Sequence, residues 1–247
     1  MAVPHRITLR EAIQIMSRGL DAKAYLADLA DNGIPLPQLP RAIVLAMHPD
    51  VFPRRCREMA GPFGRVVATR RAPSVVTVGP LGPGPAVAAV TIELLAELGV
   101  TSIVAVGIAS AVQRDDVALV PGSFVVVDEA VTSDAVASAY APSTNASRSL
   151  TASVVEATQA QRGRTYSTSI PFRLDVEDVL ASGADVVEME GAALFAAAAS
   201  RGVEVSLAVA ISDVTSVDGW KPGDRSIVGA STTALADTCR EVVGGML

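Results

Sequence analysis

Lysine and basic runs are scarce in this chain of 247 residues. Its lysines are Lys23 and Lys221, its net charge is −6, and its most basic stretches are the pairs 54–55 and 70–71. A protein that binds nucleic-acid backbones normally presents a basic face. The composition therefore argues against a nucleic-acid partner, although one or two arginines could still hold a small anion.

Cysteine is equally scarce. Cys56 and Cys239 lie far apart, outside any CxxC motif and without a histidine nearby. This spacing argues against a disulfide scaffold and against a zinc site. We expect both cysteines to be reduced, small apolar residues, and we expect neither a metal nor a cofactor.

Long uninterrupted apolar runs are missing, although 50% of the residues are hydrophobic and the mean hydropathy is +0.40. The richest windows, 85–112 and 185–212, are interrupted by charges and fall short of the roughly 18 apolar residues of a membrane span. The N-terminal stretch carries Arg10 and Glu11 and does not resemble a secretory signal. We therefore expect no membrane partner, a cytoplasmic location, and an apolar core.

The order of apolar segments predicts strands that alternate with helices. An amphipathic helix over 8–30, with Thr8 and Glu11 as a capping box, and a proline-rich linker over 32–40 form an extension (1–40) to one domain (41–247). Strands are predicted over 42–47, 65–70, 74–79, 102–107, 123–130, 184–190 and 206–214, helices over 85–99, 148–161, 175–183, 191–202 and 226–243, and loops over 132–150 and 216–225. This alternation is typical of an α/β protein with a mainly parallel sheet between helices, in which ligands bind beyond the carboxyl ends of the strands.

Glycine and proline cluster in GPLGPGP (79–85), between a predicted strand and a predicted helix. The spacing matches no phosphate-binding fingerprint, and its prolines remove backbone N–H donors. We interpret the segment as a tight turn that allows another group to approach the backbone.

Carboxylates interrupt two of the apolar strand ends. VVEMEGAA (186–193) places Glu188 and Glu190 around Met189, where charges are costly unless they bind something. Carboxylates accept hydrogen bonds from vicinal sugar hydroxyls. Alternatively, Glu190 interacts with the helix dipole and Glu188 is exposed.

AISDV (210–214) ends in Ser212 and Asp213. A partly desolvated aspartate at this point could act as a general acid. Alternatively, it caps the following turn.

The segment 186–215 resembles the C-terminal signature of the nucleoside phosphorylase/nucleosidase superfamily, with its V-E-M-E-(A/G)-A motif and its S-D strand end. Two further runs, 97–112 and 123–135, are similar to the strand before the family's glycine-rich turn and to the V-V-x-D-E-A segment of adenosine-type nucleosidases. The matches follow the family's order over 42–215. The resemblance implies a single α/β domain with a mixed, mainly parallel, partly barrel-like sheet sandwiched by helices.

The resemblance also implies roles for individual residues. Glu190 would hold the ribose hydroxyls with Met189 against the sugar and Glu188 nearby, and Asp213 would be the general acid to the leaving base. The remaining substrate-binding positions would be Val187, Phe172 of the Pro171-Phe172 pair, Gly107, Ile108, Ser212 and His48. The family further implies a nucleoside substrate and a homo-oligomer, either a dimer or a hexamer. At the N-terminus, Pro4-His5 resembles the start of hexameric purine phosphorylases.

The chain departs from the family where phosphate would bind. Phosphorolytic members have a G-D-P-x-R turn and an R-V-G-[ST] strand end, whereas this chain has residues 47–51 (MHPDV) and 105–108 (AVGI). Both arginines and the hydroxyl are missing at the matching positions. The arginines that could replace them, from a shifted register or a neighbouring subunit, are Arg54, Arg55, Arg65 and Arg70.

Hydrolytic members instead have A-M-E-E-E at the first turn, and residues 46–50 (AMHPD) place Asp50 at the position of the glutamate that activates water. His48 is a second candidate for this base. Alternatively, residues 48–50 simply begin a helix. We expect hydrolysis of an N-glycosidic bond; the alternatives are phosphorolysis with relocated phosphate ligands and a non-catalytic or repurposed nucleoside-binding relative.

Overall fold

Ten strands hydrogen-bond into one sheet in the computed structural model, which describes residues 21–59, 65–70, 72–79, 82–114, 119–132, 134–140 and 143–247. The strands are β1 (Ala42–Ala46), β2 (Cys56–Met59), β3 (Arg65–Thr69), β4 (Val76–Gly79), β5 (Ser102–Val112), β6 (Phe124–Thr132), β7 (Gln161–Ser167), β8 (Val186–Glu188), β9 (Glu204–Ser216) and β10 (Gly219–Pro222). Their spatial order is β10-β9-β6-β7-β8-β5-β1-β4-β3-β2.

Part of this sheet closes on itself, because β9 also pairs with β5. The strands β5, β9, β6, β7 and β8 therefore form a ring. Within it, β5–β9, β6–β7 and β7–β8 are parallel, whereas β6–β9 and β5–β8 are antiparallel. This arrangement confirms the expected mixed and partly barrel-like sheet.

Seven helices of the described residues accompany the sheet. They are α1 (Ala22–Asp31), α2 (Pro85–Glu97), α3 (Ala135–Ser138), α4 (Arg148–Thr158), α5 (Val176–Ala181), α6 (Gly191–Arg201) and α7 (Arg225–Gly245). Helices α2 and α6 bury apolar side chains in one core cluster, and α4 and α7 do so in another. No helix among the described residues is long and apolar enough to cross a membrane.

The two cysteines are free thiols. Cys239 is fully buried in the second core cluster, and burial raises the pKa of its thiol to about 12. Cys56 is half-buried on β2. Cys239 thus packs as a small apolar side chain, as expected.

The helix predicted over 8–30 differs from the observed structure at Asp21. Asp21 has an extended backbone, and its side chain accepts a hydrogen bond from the Ala24 N–H at 2.6 Å, so α1 begins at Ala22. A continuous helix over 8–30 is therefore wrong at this residue, because an N-cap has non-helical backbone angles. The proposed capping box of Thr8 and Glu11 and the Pro4-His5 pair lie outside the described residues.

Three strands and one short helix were not predicted. The loop predicted over 132–150 contains α3, and the loop predicted over 216–225 contains β10. Strand β7 (QRGRTYS) has several polar side chains, and β10 (GWKP) has a glycine and a proline, so neither shows the apolar pattern of a buried strand. Strand β2 (CREM) is as short as β10, lies at the edge of the sheet and is hydrogen-bonded to β3. The linker 32–40 forms neither helix nor strand, as predicted.

Candidate functional site

A cavity of about 810 Å³ opens where β1, β5, β8 and β9 end or are followed by loops. Among the predicted site residues, those that line it are His48, Gly107, Ile108, Phe172, Val187, Glu188, Met189, Glu190, Ser212 and Asp213. The fold therefore brings together residues that lie more than 150 positions apart in the sequence, from His48 to Asp213.

Asp50 does not line this cavity. It lies on a single turn of 3₁₀ helix (Pro49–Val51), in which the Nδ1 atom of His48 accepts a hydrogen bond from the Asp50 N–H at 3.3 Å. Residues 48–50 thus begin a helical turn, as the alternative interpretation stated. The Asp50 carboxylate faces an adjoining cavity of about 370 Å³, which is also lined by His48, Ser212 and Asp213.

Glu188 is buried, with 6% of its surface exposed, so the alternative interpretation, in which Glu188 is exposed, is wrong. One oxygen accepts from the backbone N–H groups of Glu190 and Gly191, each at 2.7 Å. The other accepts from the hydroxyls of Ser167 at 2.5 Å and Thr165 at 3.2 Å. Burial raises the pKa of Glu188, and these hydrogen bonds oppose the rise. Its carboxylate therefore joins β7 to the start of α6.

Glu190 points away from its own helix. Its Oε1 accepts a hydrogen bond from the backbone N–H of Gly84 at 2.6 Å, and it makes no side-chain capping bond to α6. Gly84 has φ +110°, a conformation that favours glycine. The glycine-rich turn therefore supplies a backbone donor to a carboxylate that lines the cavity.

Burial, and after it the nearby charge of Glu188, raise the pKa of Glu190 to about 7. The N–H groups of Gly84 and Met189 act in the opposite direction. Glu190 thus changes charge near neutral pH, in a position where it can accept or donate a hydrogen bond to a ligand.

Asp213 is held from two sides. Its Oδ2 accepts a hydrogen bond from Nε1 of Trp220 at 2.7 Å, and its Oδ1 is in hydrogen-bond contact with the hydroxyl of Ser212. The Ser212 hydroxyl also lies 3.1 Å from the carbonyl oxygen of Ala109. A hydroxyl has one proton and a carbonyl only accepts. Ser212 can therefore donate to only one of these two oxygens at a time, and its hydroxyl lies between the Asp213 carboxyl group and the Ala109 carbonyl.

Trp220 is the residue that sequence reasoning missed. It lies on β10, which pairs with β9 in a hairpin that the sequence suggested was a loop. Trp220 is 65% exposed and lines the cavity. Phe172, which also lines the cavity, is 99% exposed. The signal was present in the composition, because this is the only tryptophan of the chain, and its ring combines an apolar face with one N–H donor.

Met47 also lines the cavity and was not among the predicted site residues. A Cβ atom added to Gly107 would lie 3.1 Å from the Cβ of Met47, so the glycine allows this close approach. The other unpredicted lining residues include Pro83, Ser110, Thr168, Thr215 and Ser216. The hydroxyls of Ser110 and Thr215 are hydrogen-bonded to each other at 2.8 Å.

The ionisable side chains that line the cavity are mostly acidic. Glu188, Glu190 and Asp213 line it, and no lysine or arginine of the described residues does. Arg225 lines the adjoining smaller cavity. Within the described part of the chain, no group of histidine, cysteine, aspartate and glutamate side chains is arranged to hold a metal ion.

The fold resembles those of several solved structures. Purine nucleoside phosphorylase from Toxoplasma gondii, in complex with immucillin-H, is 16% identical with a TM-score of 0.70; the match covers 84% of this chain and 91% of that one. AMP nucleosidase from Bacteroides thetaiotaomicron is 14% identical with a TM-score of 0.69, over 90% of this chain and 97% of that one. Uridine phosphorylase from Vibrio fischeri is 20% identical with a TM-score of 0.67, over 83% and 91%.

Among curated protein sequences, none matches the chain significantly. The sequence profile described as the phosphorylase superfamily matches residues 41–247. That range contains every strand of the sheet and every residue of the candidate site. The chain therefore belongs to the phosphorylase superfamily.

Proposed function

We propose that this protein cleaves the N-glycosidic bond of a nucleoside or nucleoside-like metabolite by hydrolysis. The observation that carries the proposal is that Glu190, just after β8, and Asp213, on β9, line the same cavity. One carboxylate is thus available to the sugar, and the other to the base. The solved structures with this fold include nucleoside phosphorylases and a nucleosidase.

At the sugar end, Glu190 would accept hydrogen bonds from the ribose hydroxyls. Its negative charge would also stabilise the oxocarbenium-like sugar that forms when the base departs. Met189 would pack its thioether against the sugar. Because Glu188 already accepts four hydrogen bonds from the protein, we assign it to positioning Glu190 and α6 rather than to the substrate.

At the base end, Asp213 would donate a proton to the leaving base as the C1′–N bond breaks and its electron pair moves to the base. Ser212, in contact with both Asp213 and the Ala109 carbonyl, would orient the carboxyl group. Val187 and Phe172 would contact the base. Water would then add to C1′, and its proton would pass to His48 or, through His48, to Asp50, whose Oδ2 lies 3.6 Å from Nδ1 of His48.

Hydrolysis is favoured over phosphorolysis because the described lining of the cavity has three carboxylates and no lysine or arginine. A phosphate ion in such surroundings would lack the cations that normally bind it. Among the arginines that could replace the family's phosphate ligands, Arg54, Arg55 and Arg70 line a different cavity, so within one chain they are not available to this one.

The test is incubation of the protein with a panel of purine and pyrimidine nucleosides, with and without phosphate, followed by chromatography of the released base. We expect base release that does not depend on phosphate. Asp213→Asn should lower the rate at least about 100-fold, as removal of a general acid does. Asp218→Asn makes the same change at an exposed residue of the same hairpin and should retain the rate. A fully active Asp213→Asn variant would contradict the mechanism, and a strict requirement for phosphate would contradict hydrolysis.

A further inference from the structure

A second cavity, of about 830 Å³, lies between the β2–β3 strand pair and helix α7. Arg54, Arg55 and Arg70 line it, and none of the three forms an ion pair with a carboxylate of the described residues. Other arginines, such as Arg162 and Arg164, do pair with carboxylates, at 2.7 Å in each case. The positive charge of this cavity is therefore not neutralised by the described part of the chain.

Arg55 and Arg70 lie opposite each other just beyond the paired ends of β2 and β3. Cys56 pairs with Thr69 in the antiparallel β2–β3 register, and the next step is a hydrogen bond from the Arg70 N–H to the Arg55 carbonyl at 3.3 Å. Like charges placed opposite each other destabilise an antiparallel pair. The arrangement is thus unfavourable for the protein alone and becomes favourable when an anion lies between the guanidinium groups.

The inner wall of the cavity does not supply that anion. The carboxylate of Asp237 is paired with Arg240, whose side chain is buried and also donates to the Val51 carbonyl at 2.6 Å. On the facing strand, the Thr69 hydroxyl is buried without a hydrogen-bond partner among the described residues. An unsatisfied buried hydroxyl is unusual and is often explained by a missing ligand or water.

We propose that this cavity binds a phosphorylated small molecule through Arg54, Arg55 and Arg70. Guanidinium groups bind phosphate oxygens in bidentate fashion. Because a phosphate monoester carries about −1.5 to −2 charges at pH 7, three arginines match a ligand with two phosphate groups. The volume lies within the range of roughly 300–1,000 Å³ that is typical of small-molecule sites.

This site is distinct from the one that cleaves the nucleoside. The described lining residues of the arginine cavity include none of those that line the cavity of Glu190 and Asp213. The segment from His48 to Arg55 nevertheless runs from one cavity to the other, and Thr233 of α7 donates to the Asp50 carbonyl within it, at 3.2 Å. The proposal does not depend on the reaction catalysed.

The test is isothermal titration calorimetry, in which inorganic pyrophosphate is titrated into the full chain at low ionic strength. In the control, sodium chloride replaces pyrophosphate at matched ionic strength. We expect saturable binding of one pyrophosphate per chain. Arg55→Gln and Arg70→Gln should each weaken it about tenfold or more, the loss expected for one charge-assisted hydrogen-bonding group. Arg57→Gln changes an exposed arginine of β2 that is two residues after Arg55 and outside the cavity lining, and this variant should bind as the unmodified protein does.

A measurement without ligand separates this proposal from simple surface charge. Removing one of two opposed arginines relieves their repulsion, so Arg55→Gln should raise the Tm of the anion-free protein by about 1–3 °C. The proposal is overturned if pyrophosphate shows no saturable heat. It is also overturned if Arg57→Gln weakens binding as much as Arg55→Gln does, or if Arg225→Gln abolishes binding and so places the anion beside the catalytic cavity.

Discussion

The indole nitrogen of Trp220 donates a hydrogen bond to Oδ2 of Asp213 at 2.7 Å. The two residues lie on adjacent antiparallel strands, where Trp220 pairs with Thr215 and Pro222 pairs with Asp213. The indole therefore reaches diagonally along the hairpin to the carboxylate, within the distance over which large side chains interact in such pairs. The candidate acid is held by a residue outside the ring of strands.

Replacing Trp220 with phenylalanine tests this contact. Trp220→Phe keeps an aromatic ring but removes the N–H donor, so Asp213 loses one of the groups that orient it. We expect kcat/KM for base release to fall about 10- to 100-fold, the range for a hydrogen bond to a charged group, mostly through kcat. The side chain is 65% exposed, so the free energy of unfolding should change by less than about 0.5 kcal/mol. An unchanged kcat would show that the bond has no positioning role.

Glu190 should make stability depend on pH. Its carboxyl has an ordinary pKa of 4.5 in the unfolded chain and a pKa of about 7 in the folded protein, so the folded state binds more protons between these values. Its contribution to stability is therefore present at low pH and is lost as the pH rises through 7. From pH 5 to pH 8 the loss is roughly 2.5 kcal/mol.

The variant Glu190→Gln removes this titration while its amide oxygen can still accept from Gly84. Urea unfolding of both proteins at pH 5 and pH 8 isolates the effect, because contributions from other groups cancel in the difference. We expect the variant to gain stability relative to the unmodified protein as the pH rises. Parallel pH profiles for the two proteins would contradict the raised pKa.

Glu188 should matter for folding more than its place in the cavity suggests. Glu188→Gln replaces one acceptor oxygen with an NH₂ group, which must face either the backbone N–H groups of α6 or the hydroxyls of Ser167 and Thr165. Leaving buried donors unsatisfied costs about 1–3 kcal/mol each. We expect a loss of about 2–4 kcal/mol in the free energy of unfolding by urea. The exposed Glu241→Gln in α7 is the matched control and should change stability by less than about 0.5 kcal/mol.

The glycine-rich turn offers a comparison between two glycines three residues apart. Gly79 has φ +131°, and an added Cβ would lie 2.4 Å from the Ala46 carbonyl oxygen, whereas Gly82 has no atom within 4 Å of that position. Gly79→Ala should lose more than about 2 kcal/mol of unfolding free energy, since it adds both backbone strain and a steric clash. Gly82→Ala should be neutral or slightly stabilising. Equal thermal shifts in the two variants would contradict this assignment.

The convergence of Glu188, Glu190 and Asp213 on one cavity could be predicted, because each stands near the carboxyl end of a predicted apolar strand and such ends meet at one edge of a sheet. The environments of these residues could not. The four hydrogen bonds of Glu188 come partly from β7, whose polar sequence gave no sign of a strand. The contact between Glu190 and Gly84 spans more than 100 residues, and no local pattern encodes such a distance.

The surroundings of Trp220 and Asp50 could not be predicted from the sequence either. Strand β10 has four residues with glycine and proline among them, so its pairing is fixed by the neighbouring strand β9 rather than by its own propensity. Asp50 was placed by alignment to a motif. The single helical turn from Pro49 directs it to the adjoining cavity, because proline fixes the backbone at the start of a turn.

The closed ring of β5, β9, β6, β7 and β8 also bears on how this site can diversify. Every strand in the ring has a hydrogen-bonded neighbour on both sides, so a change in the register of one strand would disrupt two pairings at once. The hairpin of Trp220 and the loop of Phe172 project from the ring and carry no such constraint. Substrate preference can therefore evolve through these two projections while the scaffold that carries the carboxylates is inherited unchanged.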